Sequence, residues 1–184
     1  IVFYFLSLLI ARSELIVFTD SLLITSLYTS THIYVGISFI YLAIIHFLMT
    51  KPIDATLFSK TLSSITFWGF LFLLPWTSYK YYFGSILPNW LENVSIYLSL
   101  SLIIPLLAFT VNYIKTTQTR ETEMNKSANL MNFSVILFLI TNVLHIVSSF
   151  ENLLPLVGLT NFQNVISYGY FGSLVLVAVS LTYY

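Results

Sequence analysis

No cysteine occurs among the 184 residues, which excludes disulfides, thiolate metal sites and iron–sulfur ligation. Charge is nearly as scarce. Only 8% of residues are charged, against about a quarter in soluble domains, so an ordinary globular protein is excluded. Seven Lys and Arg balance seven Asp and Glu, which leaves no basic surface for nucleic acid. Paired-carboxylate, P-loop and Ser-His-Asp patterns are absent, and no histidine follows His145. The chain opens on Ile1 inside an apolar run, without methionine or a basic segment. That is not a signal peptide; it reads as a chain whose beginning is missing or processed.

What is present is apolar: 58% of residues are hydrophobic and the mean hydropathy is +0.89. A helix needs roughly 20 apolar residues to cross a bilayer, so this length holds about six spans with short loops. The expected fold is an all-α, polytopic transmembrane bundle of about six helices forming a single domain. A partial span occupies 1–11, and the main spans run over about 21–49, 57–79, 91–114, 128–150 and 164–184. Continuous apolar runs of this kind do not alternate as barrel strands would, and lipid leaves no partner for an open strand edge. Pro105 falls inside the 91–114 span, where a missing backbone donor predicts a kink.

Orientation follows from the positive-inside rule. Lys51, Lys60, Lys115, Arg120 and Lys126 lie on one side, and only Arg12 and Lys80 on the other. The loops 50–60 and 115–126 are therefore expected in the cytoplasm or matrix. Trp76, Tyr79, Tyr81, Tyr82 and Trp90 then form an outer interfacial belt.

Ionisable residues inside spans are functional candidates by default, and few are found. Glu92 sits at a helix start, where the dipole favours a carboxylate. Proton relays are wanting, and the many Ser and Thr residues are expected to pack helices together. His32 and His145 fall near the outer face and can share a depth. His46 lies fourteen residues beyond His32, about 21 Å along a helix, and cannot join them. Two histidines without a third ligand make a weak metal signal. Lys80 has tyrosines on both sides and is expected to snorkel toward the headgroups.

From His32 onward the spacing resembles a known family. His32-Ile33-Tyr34-Val35-Gly36 resembles a copper-ligand motif of the form His-x-x-Val-Gly. Phe67-Trp68, Phe72-Leu73 and Trp76-Thr77 match the aromatic pattern of the helix that follows it. Leu87-Pro88-Asn89-Trp90, Pro105 and Asn112 continue in register. Together they resemble the second half of the catalytic subunit (subunit I) of haem–copper oxidases, in the branch of haem-b cytochrome c oxidases and nitric oxide reductases. The resemblance implies part of a twelve-helix bundle with the metal site toward the outer leaflet, where His32 falls.

The family's chemistry does not carry over. Two adjacent copper-ligating histidines of the family correspond to Lys80 and Tyr81. A histidine-x-histidine pair that ligates both haems corresponds to Tyr168 and Tyr170. His32 alone matches a ligand position, as a remnant copper site, and His145 is a lesser ligand candidate. Imidazoles supply such copper and axial iron bonds, so no haem, copper or other cofactor is expected on this chain. Lys80 can instead supply positive charge in a cavity that has lost its metal, held by tyrosine hydroxyls or a neighbouring subunit's carboxylate.

The expected function is therefore that of a non-catalytic accessory subunit in a respiratory membrane complex. Its membrane would be a prokaryotic plasma membrane or an inner mitochondrial membrane, and its partners other membrane subunits, closest along the first and sixth spans. Two alternatives are a redox-active subunit holding haem or copper, and a small transporter or channel.

Overall fold

The computed structural model describes residues 32–50, 57–82, 89–118, 126–150 and 159–183. Among them every element is helical and no strand occurs. In chain order, a π turn at His32–Gly36 runs into α1 (Ile37–Thr50), followed by α2 (Lys60–Leu73) and a 3-10 segment (Leu74–Tyr82). Then come α3 (Asn89–Ser101), α4 (Ile103–Gln118), α5 (Lys126–Val147) and α6 (Leu159–Thr182). Three stretches are long and apolar enough to cross a membrane: Asn93–Gln118, Lys126–Val147 and Asn164–Thr182. Tyr34–Thr50 is apolar but shorter. The all-helical membrane character expected from composition is present, whereas the full count of six spans is not reached among the described residues. The partial span at 1–11 lies outside them.

Two prolines explain where helices change form. Pro75 has no N–H to give the Leu71 carbonyl, and there α2 tightens into the 3-10 segment. Pro105 likewise offers no donor to Ser101. The expected kink is a break at Leu102, whose N–H bonds back to Ser99 at 3.2 Å, and Leu106 N restarts the ladder on Leu102 at 3.1 Å. At the start of α2, Ser59 caps the helix by accepting from Leu62 N at 3.3 Å.

α5 and α6 share the most extensive interface, and α2 packs on α4, α1 on α6, and the 3-10 segment on α3. Phe138 of α5 is the centre of the core. Its ring stacks on Tyr41 at 4.2 Å and meets Phe109 at 5.8 Å, Tyr170 at 6.0 Å and Phe70 at 6.1 Å. Aromatic pairs of this kind add about 0.5–1.5 kcal/mol each beyond area burial. Small residues set the helix spacing. A Cβ on Gly69 would stand 2.6 Å from Pro105 Cβ, and one on Gly169 would overlap Thr141, so both contacts require glycine.

Several hydroxyls inside the bundle bond to their own helices or to neighbours. Thr116 and Thr141 donate to the carbonyls of Asn112 at 2.6 Å and Leu137 at 2.8 Å. Between helices, Ser134 Oγ donates to the Ser173 carbonyl at 2.8 Å and Ser127 Oγ to the Ser180 carbonyl at 2.9 Å. One end of the bundle is tied by Phe58 N to Thr116 Oγ1 at 3.1 Å and Ser59 N to Asn112 Oδ1 at 3.0 Å. The other end holds the cluster around Lys80.

Candidate functional site: a buried lysine–histidine cluster

Lys80 is 2% exposed, so the interfacial lysine expected from its tyrosine neighbours is instead a core residue. The reason is local geometry. In a 3-10 helix residues three apart eclipse one another, and Leu74, Thr77 and Lys80 form one such row, all buried. The row faces the end of α5.

There the lysine meets a helix terminus. The last carbonyls of an α-helix lack intrahelical donors and carry the negative end of its dipole. Lys80 Nζ donates to the His145 carbonyl and to Ser149 Oγ at 2.9 Å. Ser148 Oγ donates to the same carbonyl at 2.7 Å. The N–H groups of Ser148, Ser149 and Phe150 take the carbonyls of Leu144, Ile146 and Val147. The end of α5 is thereby closed, with Lys80 as a cap supplied from another element. Its own backbone N–H donates to Ser95 Oγ of α3 at 3.0 Å, which fixes the 3-10 segment against that helix.

His145 is fully buried, and its Nε2 lies 2.9 Å from Thr77 Oγ1. Thr77 has one hydroxyl hydrogen, and the Leu74 carbonyl 2.8 Å away can only accept it. Both bonds hold together when Nε2 carries the ring hydrogen and Thr77 accepts it. Tyr34 stands edge-on to the His145 ring, with centroids 5.1 Å apart at 83°, and Tyr170 lies 5.6 Å from Tyr34 and 6.5 Å from His145. Tyr170 donates its hydroxyl to Asn142 Oδ1 at 2.9 Å. Asn142 Nδ2 in turn donates to the Phe138 carbonyl at 2.8 Å, which sets the amide's orientation.

Of the residues singled out by sequence, the structure brings Lys80, His145 and Tyr170 into one cluster. Tyr168 is 74% exposed and faces away, as residues two apart on a helix must. The side chains of His32 and Tyr81 lie outside the described residues, although their backbones belong to the π turn and the 3-10 segment. His46 is separate, as its spacing from His32 required, and bonds Ser63 of α2. Sequence reasoning missed Tyr34, Thr77, Asn142 and Ser149 as members of the cluster. Asn142, His145 and Ser149 sit three and four residues apart on one helix face, a signal legible in principle. Tyr34 and Thr77 stood inside the motifs already quoted.

Among the described residues no three His, Cys, Asp or Glu side chains come together. Among the described residues the cluster holds one imidazole, whose Nε2 is committed to Thr77, and its amine is engaged by a carbonyl and a hydroxyl. This donor set does not fit a haem–copper pair, which asks for several imidazoles. No family model matches the chain, and no curated protein matches it.

Proposed function

We propose that the chain is a non-catalytic, oxidase-subunit-I-like membrane subunit that acts as a structural component of a respiratory electron-transport complex. One observation carries the proposal. Lys80 and Tyr170 stand where the resemblance calls for imidazole ligands, and both lie in one buried cluster around His145, hydrogen-bonded to its members. In this reading a hydrogen-bonded latch takes the place of a metal site and keeps the helix ends together. Other membrane subunits are the partners, with lipid covering the remaining apolar faces. Exposed Ile104, Leu107, Phe133 and Val175 suit either. The loops 50–60 and 115–126 face the cytoplasm or matrix of an energy-transducing membrane.

The test is isolation of the intact assembly in mild detergent, with haem and copper counted per chain before and after this chain is separated from its neighbours. The expected result is co-isolation with other membrane polypeptides at fixed ratio and neither haem nor copper on the separated chain. Stoichiometric haem or copper on the separated chain, or its recovery as a fully active monomer, overturns the proposal.

A further inference from the structure

A second feature lies at the end of the bundle away from Lys80. Between α1 and α2 is a half-open groove of about 480 Å³, within the range of small-molecule sites. Its two walls run in opposite chain directions and share one polarity gradient. Up α2, Lys60 comes first, then Ser63 and Ser64, then Phe67. Along α1, His46 stands at the polar end and Phe39 at the apolar end. Seven residues separate His46 from Phe39 and Lys60 from Phe67, a rise of about 10 Å on either helix. Phe39 and Phe67 meet edge-to-face at 5.4 Å and close the apolar end.

The donors at the polar end are specific. His46 Nδ1 faces the Leu42 carbonyl at 2.8 Å, which can only accept, so Nδ1 carries the ring hydrogen. Nε2 of the neutral ring then accepts from Ser63 Oγ at 2.9 Å. That pair is satisfied within itself and forms a wall. Lys60 and Ser64 are exposed and present an ammonium and a hydroxyl to the groove mouth, and no carboxylate among the described residues lines it. The polar end thus offers donors and positive charge, and the other end is hydrocarbon. Lys60 begins α2, at the same end of the bundle as Lys126 of α5, where the headgroup layer would lie.

We propose that this groove seats an anionic phospholipid. The phosphate is held by Lys60 and the Ser64 hydroxyl, and the proximal part of one acyl chain lies past Ala43 against Phe67 and Phe39. Charge complementarity and the matched gradient on both walls select a lipid over a free anion, which would use only the polar end. The site is independent of the lysine–histidine cluster and of the oxidase-like reading.

The test is native mass spectrometry of the full chain in mild detergent, titrated with phosphatidylglycerol and with phosphatidylcholine of identical chains. The expected result is one phosphatidylglycerol retained in preference to phosphatidylcholine. Lys60→Gln should weaken that binding about fivefold, the equivalent of about 1 kcal/mol for one juxtamembrane cation. Ala43→Phe, which fills the groove without touching charge, should weaken it as well. Lys126→Gln, exposed at the same end and outside the groove, should leave it unchanged. Thermal unfolding of each variant confirms that it folds. Equal retention of the two lipids, an equal loss with Lys126→Gln, no loss with Ala43→Phe, or displacement by inorganic phosphate alone would each overturn the proposal.

Discussion

His145 and His46 sit in two regions built from the same materials, a histidine, a hydroxyl and a lysine between packed helices. His145 is sealed: its ring hydrogen lies on Nε2, a 3-10 segment covers it, and Lys80 closes the helix end beneath it. His46 is half-buried on a groove wall, with the ring hydrogen on Nδ1 and Lys60 exposed beside it. In both cases a backbone carbonyl settles the proton's position, directly at His46 and through Thr77 at His145. The difference between them lies in what the lysine does. Lys80 is a structural cap in the interior, whereas Lys60 is a surface charge beside an open groove. Residue type alone does not distinguish a latch from a binding edge; the helix form that carries the lysine does.

The sealed region should therefore be the fragile one, and thermal unfolding in mild detergent measures the contrast. The largest effect is expected from Gly169→Val, which drives a branched side chain into Thr141 within one turn of Tyr170. Overpacking at such a contact should cost about 3 kcal/mol, and a variant as stable as the parent would mean that α5 and α6 are not in the close contact described. Next, Lys80→Met keeps the side-chain length but removes the donors to the end of α5. It should cost about 2 kcal/mol, the scale of a buried hydrogen bond to a charged group. Between the two lysines falls His46→Leu, which gives up the Ser63 bond at a half-buried wall and should cost about 0.5–1 kcal/mol. Lys60→Met should stay within about 0.5 kcal/mol, as exposed substitutions do. Equal effects of the two lysine substitutions would erase the distinction between the lysines.

Much of the architecture was legible in the sequence. Apolar run length placed spans at about 21–49, 57–79, 91–114, 128–150 and 164–184, and the described helices Ile37–Thr50, Lys60–Leu73, Asn89–Ser101 with Ile103–Gln118, Lys126–Val147 and Leu159–Thr182 overlap them, because lipid demands internally satisfied backbone and so rewards long helices. Pro105 announced a disruption, but its position three residues beyond the break at Leu102 reflects the carbonyl it leaves unserved at Ser101 rather than its own location. Lys80 was misread for a definable reason. Its tyrosine neighbours signalled an interface, and an α-helical period would turn it about 120° away from buried Leu74, since residues six apart advance by about 600° at about 100° each. Pro75 converts that stretch to a 3-10 helix, whose threefold period aligns Lys80 with Leu74 and Thr77. The cluster around His145 could be glimpsed from the spacing of Asn142, His145 and Ser149, but the approach of Tyr34 and Tyr170 depends on how three helices cross. No one-dimensional period encodes that.

The account turns on Lys80 being an interior cap rather than a snorkelling surface lysine. Reductive methylation of the intact protein in mild detergent, read lysine by lysine through peptide mass spectrometry, tests this directly. Lys80 should stay unmodified under conditions that methylate exposed Lys60 and Lys126, and become reactive only on unfolding. Methylation of Lys80 at the rate of Lys60 and Lys126 in the folded protein would contradict the latch and return this lysine to the membrane surface.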